Sequence, residues 1–92
     1  MKGEGEMGEQ EIGRVEAYFA KAGAAGISIT GGGLRVGDTI RIKGYTTDLT
    51  QRIDSLEIDR KPIAEARPGQ TVGVKLAERA RPGDVVYRVT PD

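Results

Sequence analysis

No stretch of this chain sustains a helical period. Apolar residues alternate with polar ones over short runs, and most runs open just after a glycine or proline. "DTIRIK" is the cleanest case, with Ile40 and Ile42 facing one way and Arg41 and Lys43 the other. "GISI" does the same with Ile27 and Ile29, and "TVGVKL" with Val72, Val74 and Leu76. A period of two over four to eight residues is the pattern of half-buried strands. One punctuation mark recurs: "RVGD" at 35–38, "RPGQ" at 67–70 and "RPGD" at 81–84, each directly before such a run. Pro68 and Pro82 preset φ at the first central turn position, and Gly37, Gly69 and Gly83 can take the positive φ a type II turn needs next. Gly73 is grouped with these as a structural turn glycine. The repeats therefore read as turn chemistry, leaving Arg35, Arg67 and Arg81 on the surface.

The spacing predicts an all-β chain: six to seven short strands in a small closed or partly closed antiparallel β-barrel, with a one-turn helix at "PIAEA". Closure would remove the exposed edges of a sheet this small. Residues 1–11 read as a flexible Gly/Glu-rich arm and residues 12–92 as a single barrel domain. Within it, "IGRVEAYFA" is expected to place Val15, Ala17 and Phe19 on one face, with Phe19 in the core and Tyr18 outward. "TQRIDSLEID" reads as one long strand in which Ile53 falls out of phase, as at a β-bulge, with a short helix as the alternative. "DVVYRVT" is expected to turn Val85, Tyr87 and Val89 inward and Arg88 outward.

Composition narrows the chemistry. The 92 residues contain neither Cys nor His, which removes disulfides, thiolate metal sites and the commonest general base. Asp54, Glu57 and Asp59 crowd one segment without a matching cluster elsewhere, and Ser28 and Ser55 have no base to activate them. "TGGG" at 30–33 lacks the context of a phosphate-binding loop. No enzyme activity and no cofactor are expected. The formal net charge is zero, although residues 1–11 hold four glutamates against one lysine. No 18-residue apolar window and no basic-then-apolar leader occur, so no membrane contact is expected and a cytoplasmic location is the default.

The most suggestive surface is basic. Arg52, Arg60, Lys61 and Arg67 flank the central strand and the loop after it, joined by Arg41 and Lys43. Tyr45 is the best exposed stacking candidate. These seven residues are either a solvated surface of mixed charge or a patch that contacts RNA or a protein partner.

The order of features is itself specific. "GGLRVGDTIRIKG", then "QRIDSLEIDRKPIAEARPGQTVGVKL", then "RPGDVVYRV" resembles the second domain, the β-barrel, of translational GTPases of the elongation factor Tu type. The resemblance runs from about Ile12 to Val89. It implies a barrel that in the family helps hold the acceptor end of aminoacyl-tRNA and contacts the small ribosomal subunit. The GTP-binding domain of that family has no counterpart here, neither a P-loop nor an Asn-Lys-x-Asp motif, so no GTP binding is expected. What the resemblance carries over best is Arg60 and Lys61 at a strand end and the glycines Gly37, Gly69 and Gly73. The hairpin "AGAAGISIT" matches the family's Thr-Gly element only loosely. Similar barrels also occur as accessory domains of other proteins, including some peptidases. The resemblance thus implies a non-catalytic, translation-associated module touching RNA or the ribosome. The alternative is a protein–protein adaptor or accessory subunit unrelated to RNA.

Overall fold

The computed structural model describes residues 8–90. Ten strands form in chain order: β1 (Gly8–Phe19), β2 (Ala24–Ile29), β3 (Leu34–Arg35), β4 (Thr39–Lys43), β5 (Asp48–Arg52), β6 (Leu56–Ile58), β7 (Lys61–Ile63), β8 (Glu65–Ala66), β9 (Thr71–Lys75) and β10 (Val85–Thr90). Eight of them make one antiparallel sheet in the order β5-β4-β10-β1-β2-β9-β6-β7, and β3 pairs with β8 separately. The expected barrel of six to seven strands is thereby corrected: the sheet is open, with β5 and β7 as its edges.

The physical reason lies in those edges. β7 is three residues long and carries Pro62, which has no N–H to offer a further strand. Yet the sheet still wraps a single core that draws residues from β1, β2, β4, β5, β6, β9 and β10. Strands β5 and β9 lie five places apart in the sheet order. In a flat sheet with strands about 4.8 Å apart they would be separated by about 24 Å. Instead the Gln51 side chain of β5 donates to the carbonyl of Lys75 at 2.9 Å and accepts from the N–H of Ala77 at 2.7 Å. One side-chain amide thus imitates a strand's peptide group and latches the curled sheet without a backbone ladder.

The alternating runs bury the expected aliphatic residues. Ile27, Ile29, Ile40, Ile42, Val72 and Val74 are all at most 1% exposed. Two phases differ. The pairing of β1 with β2 shifts register between Val15 and Ala17, so Glu16 is an extra residue and every later side chain in β1 changes face. Tyr18 consequently packs against the core, while Phe19, expected inside, is 57% exposed. In β10, Val86 and Val89 are the buried residues, and Val85 and Tyr87 are only partly covered.

Three further expectations change. "PIAEA" contributes to β7 and β8 rather than to a helix. "TQRIDSLEID" is not one strand; it breaks between β5 and β6, and Ile53 at the break is fully buried. β1 begins at Gly8, inside the segment assigned to the arm, while residues 1–7 lie outside the described residues.

The Arg-x-Gly turns share one construction. Gly37, Gly69 and Gly83 have φ of 101°, 95° and 93°. The fourth residue's N–H donates to the first residue's carbonyl at 3.0, 3.1 and 3.1 Å, closing each turn. The first residue's N–H in return donates to the side chain of Asp38, Gln70 or Asp84, at 2.9, 2.7 and 2.9 Å. Each turn then grips one buried aliphatic residue by both main-chain groups. Gly37 donates to the Ile53 carbonyl and Asp38 accepts from the Ile53 N–H; Gly69 and Gln70 do this to Ile29, and Gly83 and Asp84 to Val15. All six of these bonds are 2.8–2.9 Å long. An acid or an amide serves equally at the fourth position because both supply an acceptor oxygen.

Candidate functional site

The bulge at Glu16 sets up the most distinctive surface of the molecule. By turning the end of β1 over, it sends Ala17 and Phe19 to the outer face of the sheet. Directly opposite Ala17 on β2 is Gly26, opposite Gly26 on β9 is Gly73, and opposite Gly73 on β6 is Glu57. Residues paired in this way share a face. A transverse row therefore runs Ala17, Gly26, Gly73, Glu57, with no side chain at all over its two middle strands. Phe19 stands over one side of the row, near enough that a Cβ built on Gly26 would meet its ring at 4.0 Å.

The result is a groove of about 670 Å³. Its floor is Ala24, Gly26 and Gly73, and Phe19 forms a wall. Glu16, Glu57, Asp59 and Arg60 supply the charges along it. Glu16 is held by the hydroxyl of Ser28, which donates to its carboxylate at 2.7 Å. Asp59 and Arg60 form the two-residue turn between β6 and β7, where Ile58 pairs with Lys61. Both have positive φ, 52° and 66°. A turn of that shape favours asparagine, aspartate and glycine, so an arginine at its second position is strained.

The basic residues singled out from sequence come from separate elements. Arg41, Lys43 and Arg52 lie on β4 and β5, at one edge of the sheet, and Arg60 and Lys61 lie at the other. Arg41 is already engaged: its guanidinium forks onto Asp48 at 3.0 and 3.1 Å and reaches Glu9 at 2.9 Å. Hydrogen bonds to Asp48 first and Glu9 second raise the Arg41 pKa above its ordinary value, and the same fork holds the Asp48 carboxyl below its own. Tyr45 is fully exposed beyond the end of β4, and Arg67 opens the turn before β9. Pro68 and Pro82 occupy the turns assigned to them, whereas Gly73 sits in the middle of β9 and not in a turn. Among the described residues no group of three or more acidic side chains is placed to hold a metal ion, and no helix is long and apolar enough to cross a membrane.

Residues 23–87 match the family model described as Elongation factor Tu domain 2. The chain belongs to that domain family. The full-length proteins it is similar to, however, are described as proteases. It is 32% identical over 78 residues to a collagenase of Porphyromonas gingivalis, an alignment covering 84% of this chain and 22% of the relative. It is 41% identical over 78 residues to an uncharacterized protease of Methanocaldococcus jannaschii, covering 84% of this chain and 19% of that protein. The chain thus spans about a fifth of the length of these curated relatives.

A solved structure makes the same link. The C-terminal domain of a Geobacillus thermoleovorans protein assigned to the U32 peptidases superposes with a TM-score of 0.78 at 25% identity, covering 84% of this chain and 96% of that domain. A second structure of the domain gives 0.79 at 21% identity, with 86% and 91% covered, and speaks to the fold alone.

These relatives correct the reading drawn from the elongation-factor resemblance. The domain family is shared, but the similar full-length proteins are proteases, and the matching solved domain is the C-terminal part of one. The expectation of a stand-alone, translation-associated homologue that contacts RNA or the ribosome is overturned by them.

Proposed function

We propose that this chain is a non-catalytic accessory domain of the U32 peptidase type, working through contact with protein. The carrying observation is one of proportion. The chain covers 96% of a solved C-terminal domain from that group while spanning about a fifth of its full-length protease relatives. A domain of that size without Cys or His has no thiol nucleophile, and its serines have no histidine to activate them, which supports placing peptide-bond chemistry elsewhere in such a protein. Within this reading the sheet is a scaffold, and what it offers a partner is surface.

The test has two arms. In the first, the 92-residue chain is incubated with fluorescently labelled gelatin and with casein, and no fragments are expected. In the second, a U32-type peptidase lacking its own C-terminal domain is titrated with the chain by calorimetry, with saturable heat expected. Hydrolysis by the chain alone, or no association with the truncated peptidase, would overturn the proposal.

A further inference from the structure

Gly26 and Gly73 stand side by side in the middle of adjacent strands, where glycine weakens a sheet. Neither has the positive φ that would require glycine. Neither is required by space: a Cβ on Gly26 would meet nothing nearer than the Phe19 ring at 4.0 Å, and one on Gly73 nothing nearer than the Glu57 carbonyl at 3.8 Å. Both values are ordinary contact distances. The chain therefore gives up strand stability at two positions for no internal reason, and what it gains is an open floor. A glycine inside a strand marks a bulge, a tight bend or a close approach of another group, and an open floor beside an exposed aromatic wall fits the last of these.

Two other features converge on the same groove. Phe19 leaves more than half its surface in solvent on one wall. At one end, the strained turn carries an arginine at φ 66° where glycine would be relaxed. Backbone strain of this kind gathers where a side chain is needed more than comfort. Glycine is present where the backbone does not need it and absent where the backbone does.

We infer that this groove seats an extended polypeptide segment of the protein partner, bearing an apolar side chain flanked by lysine or arginine. The apolar side chain lies on the backbone of Gly26 and Gly73 against the Phe19 ring, as large side chains do over glycines in sheets. The flanking base follows from charge. Of the ionisable residues lining the groove, Glu16, Glu57 and Asp59 are acidic and Arg60 alone is basic. This inference deepens the accessory-domain reading and rests on it for the identity of the partner, but the recognition itself can be tested on the isolated chain.

The experiment is an amide-shift NMR titration of the 92-residue chain with two short glycine/serine peptides, each holding one central phenylalanine. One peptide flanks it with lysines and the other with glutamates. The lysine-flanked peptide is expected to shift the amides of Phe19, Gly26 and Gly73 and to bind about tenfold more tightly than its counterpart. Glu57→Lys should narrow or invert that preference. Gly26→Ala combined with Gly73→Val should abolish binding while the melting midpoint stays at or above that of the parent. Absence of shifts at the floor, equal binding of both peptides, unchanged binding by the filled variant, or a lowered midpoint in it would each overturn the inference. A positive titration alongside a truncated peptidase that ignores the chain would refute the accessory-domain reading alone, and the reverse pair of results would refute the groove alone.

Discussion

Two sets of glycines in this molecule do opposite things. Gly37, Gly69 and Gly83 sit in turns at φ near +100°, and each donates its N–H to the carbonyl of a buried aliphatic residue. Gly26 and Gly73 sit in extended strands, where any residue would fit the backbone and a methyl group would meet only ordinary neighbours. The first set is fixed by folding: take it away and the grip on Ile53, Ile29 and Val15 loosens. The second is a concession by folding to something outside the chain. The same residue type thus marks structure at the start of three strands and a surface in the middle of two.

Substitutions separate the two sets. The largest effect is expected from Asp84→Ala, because Asp84 is buried and its carboxylate satisfies the N–H of Arg81. Leaving that donor unpaired should lower the unfolding free energy by ~1–3 kcal/mol in a urea titration. The same change at exposed Gln70 should cost less, since water can replace its oxygen.

Gly83→Ala places a Cβ in the left-handed region and should cost ~1–2 kcal/mol, visible as a lower melting midpoint by calorimetry. If it were neutral, the turn glycines would be no more constrained than the strand ones. Arg60→Gly is the converse case. It relaxes a strained turn and should raise stability by up to ~1 kcal/mol while weakening whatever Arg60 contacts at the groove.

The smallest effect serves as a baseline away from both sets. The folded Asp48 carboxyl titrates below its ordinary value of 3.8 because Arg41 hydrogen-bonds its charged form. The stability it contributes is therefore complete above that value and is lost as pH falls through the lower, folded one. Asp48→Asn should lower the melting midpoint slightly at neutral pH, where that contribution is complete, and leave it almost unchanged at the acid end, so that the acid limb flattens.

The turns were legible in the sequence because their chemistry is local: proline and glycine at adjacent positions define the geometry with no knowledge of the rest of the fold. The alternation of Ile40 with Ile42 and of Val72 with Val74 was legible for the same reason. What each turn holds was not, since the Ile53, Ile29 and Val15 backbones arrive from elsewhere in the chain. Phe19 was misplaced because a single extra residue at Glu16 inverts every later side chain, and no residue type announces a bulge.

The closed barrel was expected because strand count and turn spacing favour it. Whether a curled sheet closes is decided at its edges, here by Pro62 and by the side chain of Gln51. The groove was missed although a sign of it was present: a glycine in the middle of "AAGISI" and another in "TVGVK", both within runs of buried aliphatic residues. The family resemblance groups Gly73 with the turn glycines. Only the register, which puts it beside Gly26, turns two isolated weak points into one floor.

The central claim is that the Gly26–Gly73 pair is kept for an outside contact and not for folding. Urea unfolding of the double variant Gly26→Ala and Gly73→Ala tests it most directly. With no strain and no steric conflict to introduce, each alanine should stabilise the sheet by ~0.5–1 kcal/mol, so the transition should move to higher urea at unchanged slope. A transition at lower urea would mean that the fold itself needs both glycines, and the claim would fail.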